Sequence, residues 1–144
     1  MDSTNISFTV DSTDCTIPLG FEAWVDDVCY FTTDHVTGPT DISFAISDDD
    51  AEHVLRLIMR GKTEEHTTVD EENVITADVV LTINHITFDE IELGQIFIDR
   101  AIYEHNFNGT ADTVQDKFYG EMGCNGTVTL EFTTPIYLWL LENM

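Results

Sequence analysis

Residues 127–133 read Thr-Val-Thr-Leu-Glu-Phe-Thr, a strict alternation of polar and apolar side chains. Successive side chains of a strand point to opposite faces. Val128, Leu130 and Phe132 therefore share one face, and the threonines and Glu131 share the other. This is the pattern of a half-buried strand. It recurs at Ile6, Phe8 and Val10, at Ile42, Phe44 and Ile46, and at Val79, Leu81 and Ile83. Further strands are expected over residues 22–32 and 95–104. The 20 threonines suit the outer, pleated faces of such strands. Repeated short strands predict a single all-β domain over residues 1–144. The expected architecture is an antiparallel β-sandwich or barrel of about six to eight strands.

One stretch reads as helix, residues 48–60. Ser47 is placed as its N-cap, and Asp48, Asp49 and Asp50 fill a first turn where the helix dipole favours acids. Ala51, Val54, Leu55 and Ile58 form an apolar stripe at helical spacing. Glu52 and Arg56 stand at i,i+4, and Gly61 is placed to end the helix. Thr37-Gly38-Pro39 breaks the chain, residues 64–73 read as a loop or hairpin arm, and Asn108-Gly109 and Asn125-Gly126 are hairpin signals. The chain closes on Ile136-Tyr137-Leu138-Trp139-Leu140-Leu141. Six consecutive apolar residues predict a strand covered on both faces, by the helix stripe Val54/Ile58 or by another subunit.

The charge is lopsided: 28 acidic residues stand against 5 basic ones, for a formal net charge of −23. Recognition of nucleic acid through phosphates needs clustered Lys and Arg, and so does docking on an anionic membrane. Neither is expected here. The hydrophobic content of 42% excludes a disordered acidic tail. No apolar run reaches the ~18 residues of a membrane span, and the N-terminus lacks the basic and apolar regions of a signal peptide. Asp exceeds Glu, 16 to 12, and only two lysines occur. That composition suits molar salt, where charge repulsion is screened within a few ångströms.

No catalytic motif is visible, and neither a cofactor nor a metal is expected. The Asp48–Asp50 run lacks the alternating ligands of a calcium loop. The five histidines (His35, His53, His66, His85 and His105) do not pair at ligand spacing. Cys15, Cys29 and Cys124 form no CxxC and read as three small buried or semi-buried thiols. Sequons at Asn5, Asn108 and Asn125 matter only in an exported chain. Arg56, Arg60 and Lys62 crowd three of the five basic residues into seven positions. On so acidic a molecule they are expected to form a subunit interface, docking on acids of a neighbouring copy. Ile136, Tyr137, Leu138, Trp139 and Leu140 are expected to form a second part of that interface.

Residues 40–70 (TDISFAISDDDAEHVLRLIMRGKTEEHTTVD) resemble the strand–helix–strand unit of tail tube proteins from tailed viruses. The resemblance implies a β-sandwich flanked by one helix, stacked as rings around a negatively charged DNA channel. Its partners would be copies of itself and other virion proteins. The expected function is thus a non-enzymatic structural virion protein from a virus of a halophilic host. The alternative is an acidic DNA mimic that inhibits a defence or DNA-binding enzyme, placed in the host cytoplasm instead of the virion.

One consequence of the charge holds for any function. Like charges at this density oppose compaction and salt weakens the opposition. The midpoint of thermal unfolding is expected to rise between low and molar salt; a flat response in a melting series would remove the argument from salt adaptation.

Overall fold

The computed structural model describes residues 3–14, 16–62, 68–69, 71–72, 75–77, 79–105, 112–123 and 125–143. One sheet is built from β1 (Ser3–Ser12), β4 (Thr40–Ser47), β8 (Leu81–Phe88), β9 (Ile91–Glu92) and β12 (Glu121–Met122). Its order is β12-β8-β1-β4, with β9 paired to β8. The other is built from β2 (Gly20–Val25), β3 (Val28–Thr33), β5 (Glu52–Arg60), β10 (Ile102–His105), β11 (Val114–Lys117) and β13 (Gly126–Thr133), in the order β11-β10-β13-β5-β2-β3. β6 (Thr68–Val69) and β7 (Ile75–Ala77) pair separately. Two short helices, α1 (Gln95–Arg100) and α2 (Ile136–Asn143), complete the description. All pairings are antiparallel.

The expected sandwich is present, and its core follows from the alternation. Ile6, Phe8 and Val10 of β1 are buried, as are Phe21, Ala23 and Val25 of β2 and Val128, Leu130 and Phe132 of β13. Aromatic rings join the sheets: Phe8 meets Phe21 at 6.0 Å between centroids, and Phe88 meets Phe132 edge-on at 4.9 Å. At the open side, Tyr30 of β3 stacks on Phe44 of β4 at 4.5 Å. Each large apolar side chain taken from water contributes about 1.5–3 kcal/mol before entropy is charged against it.

The expected helix over residues 48–60 is absent. Residues 52–60 form β5, a central strand between β2 and β13. His53, Leu55, Leu57 and Met59 are buried while their neighbours face outward, a period of two. The segment's apolar residues fit both templates, and Leu57 decides between them. It lies off the helical stripe, yet it is fully buried in the sandwich. Backbone pairing on both sides and a core position for Leu57 outweigh the local capping signals. Glu52 and Arg56 accordingly stand about 13 Å apart along the strand rather than one helical turn apart. Gly61 ends the strand at a φ of 90°, a conformation that favours glycine.

Other local expectations shift as well. Residues 95–104 divide into α1 and β10 instead of forming one strand. The C-terminal apolar run is the helix α2, not a strand: Ile136, Trp139 and Leu140 are buried at i, i+3, i+4, and Tyr137 and Leu138 are exposed. Asn125-Gly126 does not close a hairpin, because β12 and β13 belong to different sheets. Asn125 instead brackets Lys62, accepting from its backbone N–H at 2.9 Å and donating to its carbonyl at 2.8 Å. A Cβ at Gly126 would collide with the Glu104 carbonyl, so that site requires glycine for space. The tight turns that do form use acids: Asp26-Asp27 joins β2 to β3, and Asp89-Glu90 joins β8 to β9 with φ of 52° and 68°. Cys29 is a free thiol but is exposed on the edge strand β3, not buried or semi-buried as expected. The Asn108-Gly109 signal, Cys15, Cys124, His66 and most of the 64–73 loop lie outside the described residues.

The strand assignment of residues 52–60 has a direct check. Leu57→Ala is expected to cost about 2–5 kcal/mol by chemical denaturation. Ile58→Thr, on the outward face, is expected to cost about 1 kcal/mol. The reverse order would restore the helix.

Candidate functional site

β5 and β13 lie side by side in a register that pairs Glu52 with Thr133, Val54 with Glu131 and Arg56 with Thr129. Their outward side chains form the floor of a groove of about 500 Å³. Ile102 extends the floor along β10, and Arg100 of α1 and Trp139 and Asn143 of α2 complete the lining. Trp139 is 6% exposed, so it offers the groove an edge rather than a face. Its indole N–H has no acceptor among the described residues. Asn143 donates to the Trp139 carbonyl at 2.7 Å, which leaves its amide oxygen for other partners. Glu52, Glu131 and Arg100 have no hydrogen-bond or ion-pair partner among the described residues.

A buried histidine stands at one end of the groove. His53 Nδ1 lies 2.8 Å from Asp26 Oδ2, and Nε2 lies 2.8 Å from Asp49 Oδ1. Asp26 also accepts from the Val54 backbone N–H at 3.0 Å, which fastens the β2–β3 turn to β5. Thr134 donates to Asp49 Oδ1 at 3.2 Å and accepts from the Asp49 N–H at 3.3 Å. The His53 ring stacks on Phe132 at 5.6 Å. A neutral imidazole has one N–H, so carboxylates on both ring nitrogens select the imidazolium. Burial pulls the His53 pKa down, but the hydrogen bonds and charges of Asp26 and Asp49 outweigh it, and the value rises above the ordinary one. The His53 hydrogen bond in turn holds the Asp49 pKa below its ordinary value.

The residues expected to form a subunit interface do not gather on one free surface. Arg56 donates to the Asp26 carbonyl at 3.1 Å. Arg60 pairs with Glu22 at 2.8 Å and with Asp34 at 2.7 Å, which raises its pKa. Lys62 is 5% exposed and donates to the Gly123 carbonyl. Ile136, Trp139 and Leu140 pack inward from α2, and Tyr137 and Leu138 face solvent at 55% and 57% exposure. The groove carboxylates were invisible in the sequence, because nothing distinguishes Glu52 and Glu131 from the other acids until the β5–β13 register sets them side by side.

No protein-family model and no curated protein matches the chain. Two solved structures share its fold. One is the selenomethionine form of vCBM60, described with two families of calcium-dependent carbohydrate-binding modules linked by circular permutation; it is 9% identical over 88% of this chain and 89% of that one, with a TM-score of 0.54. The other is vCBM60 in complex with galactobiose, 11% identical over 88% and 96%, with a TM-score of 0.52. Neither is a tail tube protein. The resemblance drawn from residues 40–70 is corrected on this finding, and the helix on which it turned is strand β5. The virion role, the acidic DNA channel and the DNA-mimic alternative are withdrawn with it. No helix among the described residues is long and apolar enough to cross a membrane.

The His53 cluster has a signed pH dependence. A raised folded-state pKa gives stability that is complete below the unfolded imidazole value of about 6.5 and is lost as pH rises through the folded value. The lowered Asp49 pKa gives stability that is lost as pH falls through its folded value. The difference in melting temperature between the wild type and His53→Gln is thus expected to be largest near pH 5.5 and to shrink at alkaline pH. A difference independent of pH from about 5 to 9 would show that His53 is held neutral.

Proposed function

We propose that this chain is a non-catalytic carbohydrate-binding module whose ligand lies in the groove over β5 and β13. The carrying observation is the set of uncommitted polar groups lining that groove. Glu52, Glu131 and Arg100 have no partner among the described residues, and a sugar hydroxyl both donates to carboxylates and accepts from guanidinium. A cavity of about 500 Å³ falls within the range of small-ligand sites. The fold neighbours support the reading, since vCBM60 is one of the carbohydrate-binding modules and was seen with galactobiose.

Those neighbours are grouped with calcium-dependent modules. Among the described residues, no three His, Cys, Asp or Glu side chains converge as a metal site. The groove's two carboxylates do not form such a set, so no calcium contact enters the proposal. Recognition is assigned to direct hydrogen bonds from the groove's own side chains.

Calorimetric titration with galactobiose and longer oligosaccharides tests this. Binding by the wild type is expected to survive chelation of divalent ions. Arg100→Ala and Glu131→Ala are each expected to weaken it about tenfold, the loss of a charge-assisted hydrogen bond. No new reducing ends are expected on prolonged incubation. Unchanged affinity in both variants would move the ligand away from the groove.

A further inference from the structure

Two acids in the groove are answered by nothing among the described residues. Glu52 and Glu131 are exposed and lie diagonally across the β5–β13 ladder, where Glu52 faces Thr133 and Glu131 faces Val54. Diagonal neighbours on one sheet face have Cβ atoms about 7–8 Å apart, within joint reach of one small group. Of the cations near them, Arg56 and His53 each have a partner, and Arg100 has none among the described residues. Arg56, the other diagonal neighbour of Glu131, donates to the Asp26 carbonyl at 3.1 Å. His53 is held between Asp26 and Asp49, 2.8 Å from each. Among the groove's lining, Arg100 supplies the uncommitted positive charge. Within the groove's lining the set left without a partner is two carboxylates against one guanidinium, on a chain of net charge −23. Arg56, outside the lining, keeps its charge, because a carbonyl does not neutralise it.

Resting on the carbohydrate reading above, we infer that the groove takes an oligosaccharide bearing free amino groups, with Glu52 and Glu131 as its specificity-determining residues. An ammonium between the two carboxylates relieves their mutual repulsion and brings three donors to acceptors that otherwise face water. A uronate or sulfated unit meets the same two carboxylates and the field of the whole chain, with Arg100 as the one arginine of the lining to answer it. Like-charge juxtaposition of this kind discriminates more sharply than added attraction, because the penalty falls on the wrong ligand alone. Arg100 then serves a neutral hydroxyl or ring oxygen of an adjoining unit. Acylation removes the amine's charge but adds bulk, so the comparison is read together with variants that remove the carboxylates' charge.

The experiment compares β-1,4-linked glucosamine tetramer with the N-acetylglucosamine tetramer, galactobiose and a tetragalacturonate by calorimetry near pH 6, at low and at moderate salt. The glucosamine tetramer is expected to bind about three- to tenfold more tightly than its N-acetylated counterpart, with the gap narrowing in salt, and the galacturonate is expected not to bind. In the double variant Glu52→Gln/Glu131→Gln, checked for its fold by circular dichroism, that gap is expected to close. Equal binding of the two matched tetramers by the wild type overturns the inference and leaves the carbohydrate reading standing. A gap that persists in the double variant also overturns it, since net charge and not the groove would be its source. If no oligosaccharide binds, the carbohydrate reading itself falls, and this inference with it.

Discussion

The apolar seam between the two sheets is the constraint on which everything else rests. A chain with 28 acids cannot gather them inward, so its stability must come from a thin, dense layer in which rings lock one sheet to the other. Phe8 against Phe21 and Phe88 against Phe132 are those locks. The strands that carry them impose period-two alternation, and alternation sends every second residue to water. Acids and threonines occupy the outer positions of the same strands whose inner positions build the core. The acidic surface and the core are two faces of one pattern.

That pattern explains which parts of the fold were legible. β1, β4 and β13 could be read directly, because each has a single phase of alternation. β8 was readable only in its first half. His85 adopts a φ of 56° at the point where the pairing with β1 shifts register, so both Asn84 and His85 face outward. The extra residue resets the phase and returns Ile86 and Phe88 to the core. β5 was misread for a different reason. Its outward face carries Val54 and Ile58 among Glu52, Arg56 and Arg60, which blurs the alternation, and Ser47 with three aspartates imitated a helix start. Those aspartates serve the loop instead, where Asp49 receives Thr134 and His53. In the C-terminal run the error was opposite. Six apolar residues suggested a strand, yet their burial follows the helical spacing of Ile136, Trp139 and Leu140.

The candidate site was less legible than the fold, for a topological reason. Its lining comes from residues 52–54, 100–102, 129–133 and 139–143, which no local motif connects. Only the pairing of β13 with both β5 and β10 brings these segments together. A carboxylate in a sequence with this many others carries no signal. Its meaning comes from whether it is answered: Glu22 meets Arg60, Asp116 meets His105, and Glu52 and Glu131 meet nothing among the described residues. The basic residues show the converse. Arg56, Arg60 and Lys62 are close in sequence, but each has its own partners within the chain: Arg56 the Asp26 carbonyl, Arg60 the carboxylates of Glu22 and Asp34, and Lys62 the Gly123 carbonyl.

The groove's wall is tied to the core and not to a loose end of the chain. Trp139 of α2 meets Phe132 edge-on at 6.5 Å, and Phe132 is the ring that also meets Phe88 of the opposite sheet and His53. Thr134, immediately after β13, braces Asp49, which in turn holds His53. The segment leading into α2 is therefore fastened through hydrogen bonds, and the helix itself through an aromatic contact. A site framed in this way loses little conformational freedom when a ligand enters, so more of each new hydrogen bond is retained as affinity. His53, at one end of the groove, belongs to the same network. Its contact with Asp49, and the contact of Asp49 with Thr134, link it to the segment that enters the helix carrying Trp139 and Asn143.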